Sequence, residues 1–413
     1  MAGEGKRLWA RGEFRVLFTA TLVSIVGDQF ARVGLSVLVF ERTRSAGLTA
    51  LTYALTYLPD VVAGPLLSGL ADRWPRRTVM IAADLLRAVG VAAMAAPGMP
   101  LAVVAALLVG VQCAGAPGNA ARAATATAVL PEPDVYLRGK AALDIVVQLA
   151  QVAGFAAGGV LTGWLGASDA LLADAGTFVL SAALVTAGIR RRPSPAEPTD
   201  AGGMRRWWAE VSGGARLVAR TPRLRALLGL ACVAGFYVTV EGLAAPYAAQ
   251  AGAGAVGVGL LLAASPAGAV VGMAVVARLP ASWREKVMGP LAVSACVPLL
   301  ACVVGPPLPV TVTLWAVSGM ASSYHLLASA AYLQAVPDQR RGQAYGIAAT
   351  ALRTSQGLGI ALAGLVAEHA QANVVVAAAG GVGVVAAVGA SVAWNHARRT
   401  TTVTSPVPDG GAV

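Results

Sequence analysis

Long apolar runs recur from one end of this 413-residue chain to the other, and they constrain its fold more than any other feature. Charged residues make up 12% of the sequence, whereas soluble domains carry about 25%. About 20 consecutive apolar residues span the core of a bilayer as a helix. The runs are continuous rather than alternating, which favours helices over the strands of a membrane barrel. The sequence therefore predicts an all-α membrane protein.

Twelve apolar segments predict twelve transmembrane helices. They lie at residues 15–40, 46–70, 78–97, 100–125, 140–165, 168–189, 224–249, 254–277, 286–305, 308–333, 343–368 and 373–396. Lys and Arg collect in alternate loops, and the other loops hold only Arg42 and Arg44. The positive-inside rule then places both termini in the cytoplasm. We expect the protein in the plasma membrane, a cell inner membrane in bacteria. The net charge of +11 follows this loop pattern, so no nucleic-acid partner is expected.

The chain is predicted to divide into two six-helix halves, residues 1–189 and 224–397. A weak repeat supports this division, since Pro131 precedes the string RGKA and Pro337 precedes RGQA at a matching place in the second half. Parallel repeats of this kind are typical of transporters. Residues 190–223 are predicted to form a cytoplasmic linker with an interfacial amphipathic helix, and residues 398–413 a flexible cytoplasmic tail.

The loop between the second and third predicted spans carries a recognisable charge pattern. Residues 68–77 read SGLADRWPRR, which fits most of the pattern Gly-x-Leu-Ala-Asp-Arg-x-Gly-Arg-Arg. This pattern and the predicted topology resemble the major facilitator superfamily of twelve-helix secondary transporters. The resemblance implies a cytoplasmic gate or latch between the halves. Its predicted members are Asp72, Arg73, Arg76 and Arg77, joined by Asp84, Arg87, Asp144 and Arg353.

Within that superfamily, the strings at residues 27–30, 68–77 and 210–225 resemble the macrolide-efflux-like branch of drug exporters. This resemblance implies a proton-coupled antiporter that exports an amphipathic drug or metabolite and confers multidrug resistance. The exporters' helix-five antiporter pattern is present as Gly154, Gly158 and Gly163, without its Pro and one Gly.

Ionisable residues inside the apolar segments are the candidate functional groups. Each charge costs about 2.5–3.5 kcal/mol at a helix centre, so each is expected to be paired or to face a wet cavity. The candidates for proton coupling or the substrate cavity are Asp28, Arg32, Asp60, Arg122, Glu241 and His325.

Two interpretations of these residues remain open. In the first, Asp28 and Glu241 carry protons, and Arg32 and Arg122 tune their proton affinity. In the second, Asp28 and Arg32, four residues apart on one helix face, form a structural ion pair, and Asp60 braces Arg32 or the eleventh helix. His325 is expected to make a polar contact between helices, with a protonation role as the alternative.

Other classes of protein lack support in the sequence. The three histidines are scattered, so neither a metal site nor an enzyme is predicted, and no Gly-rich nucleotide loop is present. We expect no cofactor, a proton gradient as the energy source, a small-molecule substrate, a surrounding lipid bilayer and a monomer. A cavity with several fixed charges would favour import of a metabolite, whereas the mainly Ala, Val and Leu midplane predicts export.

Overall fold

The computed structural model describes residues 12–67, 74–129, 133–192, 212–213, 215–336 and 341–403. Side chains are described for these residues except 60, 64–66, 127–129, 133–145, 281, 341–343 and 400–403. Throughout the described ranges, all regular secondary structure is helical. A bilayer offers backbone groups no water, so an apolar run is most stable as a helix that satisfies them internally. The all-α prediction is confirmed for this part of the chain.

Seven described α-helices belong to the first half of the chain. They are α1 (Gly12–Thr43), α2 (Ala46–Ala54), α3 (Leu58–Leu67), α4 (Arg76–Met94), α5 (Leu101–Val129), α6 (Pro133–Leu165) and α7 (Ala167–Gly188). Nine more follow residue 221. They are α8 (Pro222–Cys232), α9 (Ala234–Tyr237), α10 (Thr239–Gln250), α11 (Gly254–Ala277), α12 (Ala281–Leu300), α13 (Leu308–Ala321), α14 (Tyr324–Gln334), α15 (Arg341–Ala367) and α16 (Ala372–Val403), with a 3₁₀ turn at Ala301–Val304.

Three predicted spans are built from consecutive shorter helices. The break between α2 and α3 is the clearest, because Thr56 and Tyr57 there donate backbone hydrogen bonds to residues three positions earlier. Such bonds form a tighter 3₁₀-type turn. Pro59 follows in the first turn of α3, where its missing N–H costs nothing. The break lets polar side chains of an otherwise apolar segment face the interior of the bundle.

Eight stretches of the described chain are long and apolar enough to cross a membrane. They are Gly12–Thr43, Leu101–Ala126, Val146–Leu165, Ala167–Gly188, Pro222–Gln250, Gly254–Ala277, Ser282–Val304 and Ala372–Arg399. The other four predicted spans are also helical. Two of them are interrupted, and α4 carries four charged residues. The structure thus supports a multi-pass membrane protein, while the number twelve and the cytoplasmic termini stay predictions.

The helices form two bundles that lie side by side. In the first, α1 packs against α6 and α7, and α4 packs against α5 and α7. In the second, α11 packs against α13, and α12 against α16. The bundles meet mainly where α6 contacts α11 and where α2 contacts α15. The predicted limits of the two halves stay predictions. Most of the predicted interfacial helix lies outside the described residues. Within it, the described residues 212–213 and 215–220 are helical.

Glycines allow the closest approach between the two bundles. A Cβ added to Gly259 of α11 would lie 2.6 Å from the carbonyl oxygen of Phe155 and 2.7 Å from the Cα of Gly159 in α6. Those distances leave no room for a side chain at either glycine. Backbone therefore meets backbone at this crossing, as in small-residue contacts between membrane helices.

The two ends of the molecule differ in charge. We call the end that carries Arg76, Arg77, Arg223, Arg278 and Arg284 the basic end; the sequence predicts that it is cytoplasmic. The connections between α1 and α2 and between α15 and α16 lie at the opposite end. There, Arg42 donates a hydrogen bond of 2.8 Å to the carbonyl oxygen of Met99.

Glu368 joins the two bundles at the opposite end. Its Oε1 accepts hydrogen bonds from the hydroxyl of Ser45 and, at 2.6 Å, from the backbone N–H of Gly47. Ser45 is the N-cap of α2, and the helix dipole favours a carboxylate at this position. These hydrogen bonds, that from Ser45 most strongly, hold the pKa of Glu368 below its usual value.

We expect the Glu368→Gln variant to loosen this contact, because a neutral amide is a weaker acceptor at a helix N-terminus. Hydrogen–deuterium exchange at neutral pH should become faster in peptides that contain Gly47. The control is Glu41→Gln, which removes an exposed carboxylate near the same end. Unchanged exchange in Glu368→Gln would contradict the assignment.

The same contact predicts a pH dependence. Because the pKa of Glu368 is lowered from 4.5, its contribution is fully present above pH 4.5 and is lost as the pH falls through the lowered value. Exchange at Gly47, corrected for its intrinsic pH dependence, should stay slow from neutral pH down to pH 4.5. Release of the contact above that pH would contradict this prediction.

Candidate functional site

A cavity of about 190 Å³ lies within the first bundle and reaches the second bundle at one residue of α15. Ten of its eighteen lining residues are polar or charged: Asp28, Gln29, Arg32, Thr56, Arg87, Gln112, Asn119, Gln151, Asp174 and Arg353. The expected mainly apolar midplane is therefore wrong for this cavity. Six helices and one helix break each contribute only one to three of these polar residues. Each segment is therefore mainly apolar in sequence, although the polar side chains converge on one cavity.

Asp28 and Arg87 form an ion pair in this cavity. The Arg87 Nη2 atom lies 2.6 Å from Asp28 Oδ1, and the guanidinium stacks on Phe178 at 4.1 Å from the ring centroid. Among the described residues, no ion pair joins Asp28 to Arg32. The structural pair that the four-residue spacing allowed is thus replaced by one between α1 and α4. Arg87, which was predicted at the gate, lies in the cavity instead.

Asp174 of α7 is a cavity residue that the sequence did not single out. Its side chain is 1% exposed, its Oδ1 accepts a hydrogen bond of 3.2 Å from the Thr177 hydroxyl, and its Oδ2 has no hydrogen-bond partner. It lies against Gly27, where an added Cβ would overlap with Asp174 Oδ1. The signal that could have found it in the sequence is an acidic residue inside the predicted span at residues 168–189.

Arg122 makes a second buried ion pair one helical turn from the first. Its Nη2 atom lies 2.7 Å and 2.8 Å from the two carboxylate oxygens of Asp84, and Ser181 donates to the same carboxylate at 2.7 Å. These contacts join α4, α5 and α7. Arg122 therefore neutralises Asp84, and it is not paired with Asp28 or Glu241. Asp84, predicted as a gate residue, is buried inside the first bundle.

A cluster of aromatic and charged side chains bridges the two bundles. Tyr57, in the break of the second predicted span, donates a hydrogen bond of 2.6 Å to Glu241 of α10. The Arg32 guanidinium lies 5.7 Å and 5.4 Å from the ring centroids of Tyr53 and Tyr57. Arg353 lies 5.2 Å from the Tyr57 ring. All three distances are within the range of cation–π attraction. Arg353, predicted at the latch, thus lines the cavity.

His325 sits apart from this cluster, within the second bundle. Its Nε2 atom lies 2.6 Å from the Tyr237 hydroxyl, and its ring stacks on Tyr324 at 4.4 Å between centroids. This is the polar contact between helices that the sequence predicted, and the alternative protonation role stays a prediction.

The remaining predicted site residues are only partly described. Asp72 and Arg73 lie outside the described residues, as do the side chains of Asp60 and Asp144. Arg76 donates a hydrogen bond of 2.8 Å to the carbonyl oxygen of Ala124, and Arg77 donates one of 2.5 Å to that of Thr186. Both contacts join helices of the first bundle. The helix-five glycines Gly154 and Gly158 pack against α1, and Gly163 faces α11.

No cluster of three metal-ligating side chains occurs among the described residues. The four cysteines are free thiols, and Cys296 and Cys302 are buried. The side chains of the site form ion pairs, cation–π contacts and polar cavity walls, which can bind a solute.

A sequence profile described as Major Facilitator Superfamily matches residues 17–304 and, in a second match, residues 227–410. The chain belongs to the major facilitator superfamily. Membership makes it a multi-pass membrane transporter of a small molecule and not an enzyme. No curated protein sequence matches it.

Solved structures of transporters share this fold. A POT family transporter in complex with 5-aminolevulinic acid aligns with a TM-score of 0.74 and 10% identity, over 92% of this chain and 96% of that one. The nucleoside transporter NupG aligns with 0.72 and 14%, over 92% and 99%. An inward-facing, occupied bacterial homolog of the human lysosomal transporter Spinster aligns with 0.73 and 14%, over 95% and 97%. At these identities the likeness concerns the fold alone.

We expect Arg122→Leu to destabilise the protein by about 3–5 kcal/mol, because it leaves Asp84 buried without a counter-charge. Thermal unfolding of the purified protein in detergent measures the loss. The double variant Asp84→Asn/Arg122→Leu should recover much of it, since no unpaired charge remains. Arg278→Gln, at an exposed arginine, is the control. Equal stability of Arg122→Leu and wild type would show that this pair is not essential to the bundle.

Proposed function

We propose that this superfamily member is a proton-coupled transporter of a small polar molecule that carries an anionic group. The polar cavity carries this proposal. A buried polar group left unpaired costs about 1–3 kcal/mol, so an apolar ligand would be rejected by a cavity with ten polar lining residues. Its volume, about 190 Å³, is also below the ~300–1,000 Å³ typical of sites for drug-sized ligands.

The preference for an anion rests on two arginines. Among the described residues, neither Arg32 nor Arg353 forms an ion pair, and both line the cavity. The Tyr57 ring lies close to both guanidinium groups. A guanidinium binds a carboxylate or phosphate through two parallel hydrogen bonds, which gives both strength and orientation. We therefore place the anionic group of the substrate between Arg32 and Arg353.

The separation of acidic and basic groups favours symport. A proton binds a carboxylate, whereas an anionic substrate binds a guanidinium, so the two ligands do not compete for one group. Binding of the proton also removes negative charge from the cavity, which strengthens binding of an anion nearby. Proton and substrate would therefore move together, and an inward proton gradient would drive uptake. Asp28 and Glu241 stay candidates for proton coupling.

Alternating access is supported by where the bundles touch. Near the opposite end, Glu368 holds Ser45 and Gly47 across the boundary between them. At the basic end, the ion pair Arg223–Glu285 lies within the second bundle. We infer a form that is closed at the opposite end, with exchange of substrate through the basic end.

A second candidate function is export of an amphipathic molecule. The strings at residues 27–30, 68–77 and 210–225, which resemble drug exporters, favour it. It predicts the reverse coupling, because a cationic drug would compete with protons for the carboxylates. The direction of proton-driven transport therefore distinguishes the two candidates.

Transport by the purified protein in liposomes is the direct test. The panel should contain labelled amino acids, dipeptides, dicarboxylates and nucleosides, together with fluorescent amphipathic cations. We expect uptake of at least one solute with an anionic group when the outside is acidic, and loss of uptake with a protonophore. If the proton gradient moved only the cations, in the direction opposite to the proton flow, export of an amphipathic molecule would replace this proposal.

For an anionic solute so found, Arg353→Gln should raise KM about 10- to 100-fold, since a charge-assisted hydrogen bond contributes about 1.5–3 kcal/mol. Arg353→Lys should fall between this variant and wild type, because it keeps the charge but not the planar fork. Arg278→Gln is again the exposed control. An unchanged KM in Arg353→Gln would remove Arg353 from the binding site.

The role of Glu241 is tested separately. Glu241→Gln keeps an oxygen that can accept the Tyr57 hydrogen bond but removes the charge. If Glu241 takes part in coupling, this variant should exchange substrate across the membrane without concentrating it. Proton-driven accumulation at the wild-type level would exclude Glu241 from coupling.

A further inference from the structure

Asp174 has no ion-pair partner among the described residues. Asp28 and Asp174 both line the cavity beside Arg87, which forms its ion pair with Asp28 alone. Arg32 lines the same cavity and interacts with Asp28 and Glu241, whereas Arg122 is held by Asp84. The described arginines nearby are therefore engaged by other carboxylates, and none forms an ion pair with Asp174.

Burial makes a negative charge on Asp174 costly. The Asp28 side chain is 31% exposed, whereas the whole of Asp174 is 1% exposed. The only hydrogen bond given to the Asp174 carboxylate comes from Thr177, and it reaches Oδ1. Its Oδ2 is buried without a partner. A buried carboxylate without a counter-charge is strongly disfavoured, and a bound proton removes that cost.

Among the described residues, the charged groups that act on Asp174 are one anion and one cation. From α1 the charged group facing it is Asp28, and from α4 it is Arg87. In α6, residues 146–165 include no charged residue, and Gln151 lines the same cavity. On α7 itself, Thr177 contacts Asp174, and Asp169 is exposed near the end of the helix.

We propose that the Asp174 carboxylate is the proton-binding group of the transport cycle. This inference rests on the proposed proton-coupled transport and names its binding site. The step is simple: the carboxylate takes up one proton to become a carboxylic acid, and no other bond changes. When the proton leaves, ionised Asp174 competes with Asp28 for Arg87. Loss of the proton thereby weakens the tie between α1 and α4 and couples proton release to movement of these helices.

Infrared spectroscopy tests the proton site without any substrate. A protonated carboxylic acid has a C=O stretching band that is separate from the carboxylate bands and shifts in heavy water. We expect purified wild-type protein to show such a band at neutral pH, and Asp174→Asn to lose it. The exposed control Asp169→Asn should keep it.

Two infrared results would overturn the inference. They are a band that persists in Asp174→Asn, and no such band from mildly acidic to alkaline pH. Thermal unfolding shows whether each variant is folded. Asparagine has nearly the size and shape of a protonated aspartate, so we expect Asp174→Asn to match wild type in stability.

Transport in liposomes supplies the second arm. Asp174→Asn should exchange a labelled solute identified with the wild type but fail to concentrate it under a proton gradient, while Asp169→Asn behaves as wild type. Gradient-driven accumulation by Asp174→Asn would overturn the inference. If the wild type itself moves no solute of the panel, the proposed function fails, and the infrared arm still decides whether Asp174 holds a proton.

Discussion

A charge between membrane helices has to meet an opposite charge, and this requirement organises the whole first bundle. Helix α4 is at its centre. Asp84 and Arg87 lie one turn apart on α4, and each reaches a different neighbour: Asp84 binds Arg122 of α5, and Arg87 binds Asp28 of α1. Removing one member of such a pair costs far more than removing both, because it strands a charge in a medium that cannot solvate it. The positions of three helices, α1, α4 and α5, are thus fixed by charge complementarity as much as by packing.

The second bundle is held together in a different way. Its buried polar contacts are mainly neutral: Tyr237 with His325, Tyr324 with the carbonyl oxygen of Leu230, and Tyr247 with Thr311. Large aromatic rings such as Trp315 and Trp394 fill its core. Among its described residues, Glu241 and Arg353 bring charge from this bundle to the cluster at the boundary. The two halves of the chain are therefore alike in architecture, but ionic chemistry is concentrated in the first.

The sequence predicted much of the fold because its signals are local. The segment predicted at residues 254–277 coincides with α11, where an uninterrupted apolar run leaves one solution. Helix breaks were missed, because the apolar run continues through the turn at Thr56 and Tyr57 without a charged residue. In the candidate site, Asp28, Arg32 and Glu241 were found because charges stand out in apolar segments. Their partners were not, because Asp28 meets Arg87 across 59 positions of the chain. Spacing within one helix cannot reveal such a contact.

The glycine crossing between α6 and α11 has a consequence for how the bundles can move. Side chains that interlock across a helix contact set the angle and register of the two helices. Where Gly159 meets Gly259, no side chain projects from either helix at the point of closest approach. Such a contact is close but lacks interlocking side chains, so it holds the bundles together while leaving the angle between them free to change. One bundle can therefore rotate relative to the other about this crossing without repacking of either core.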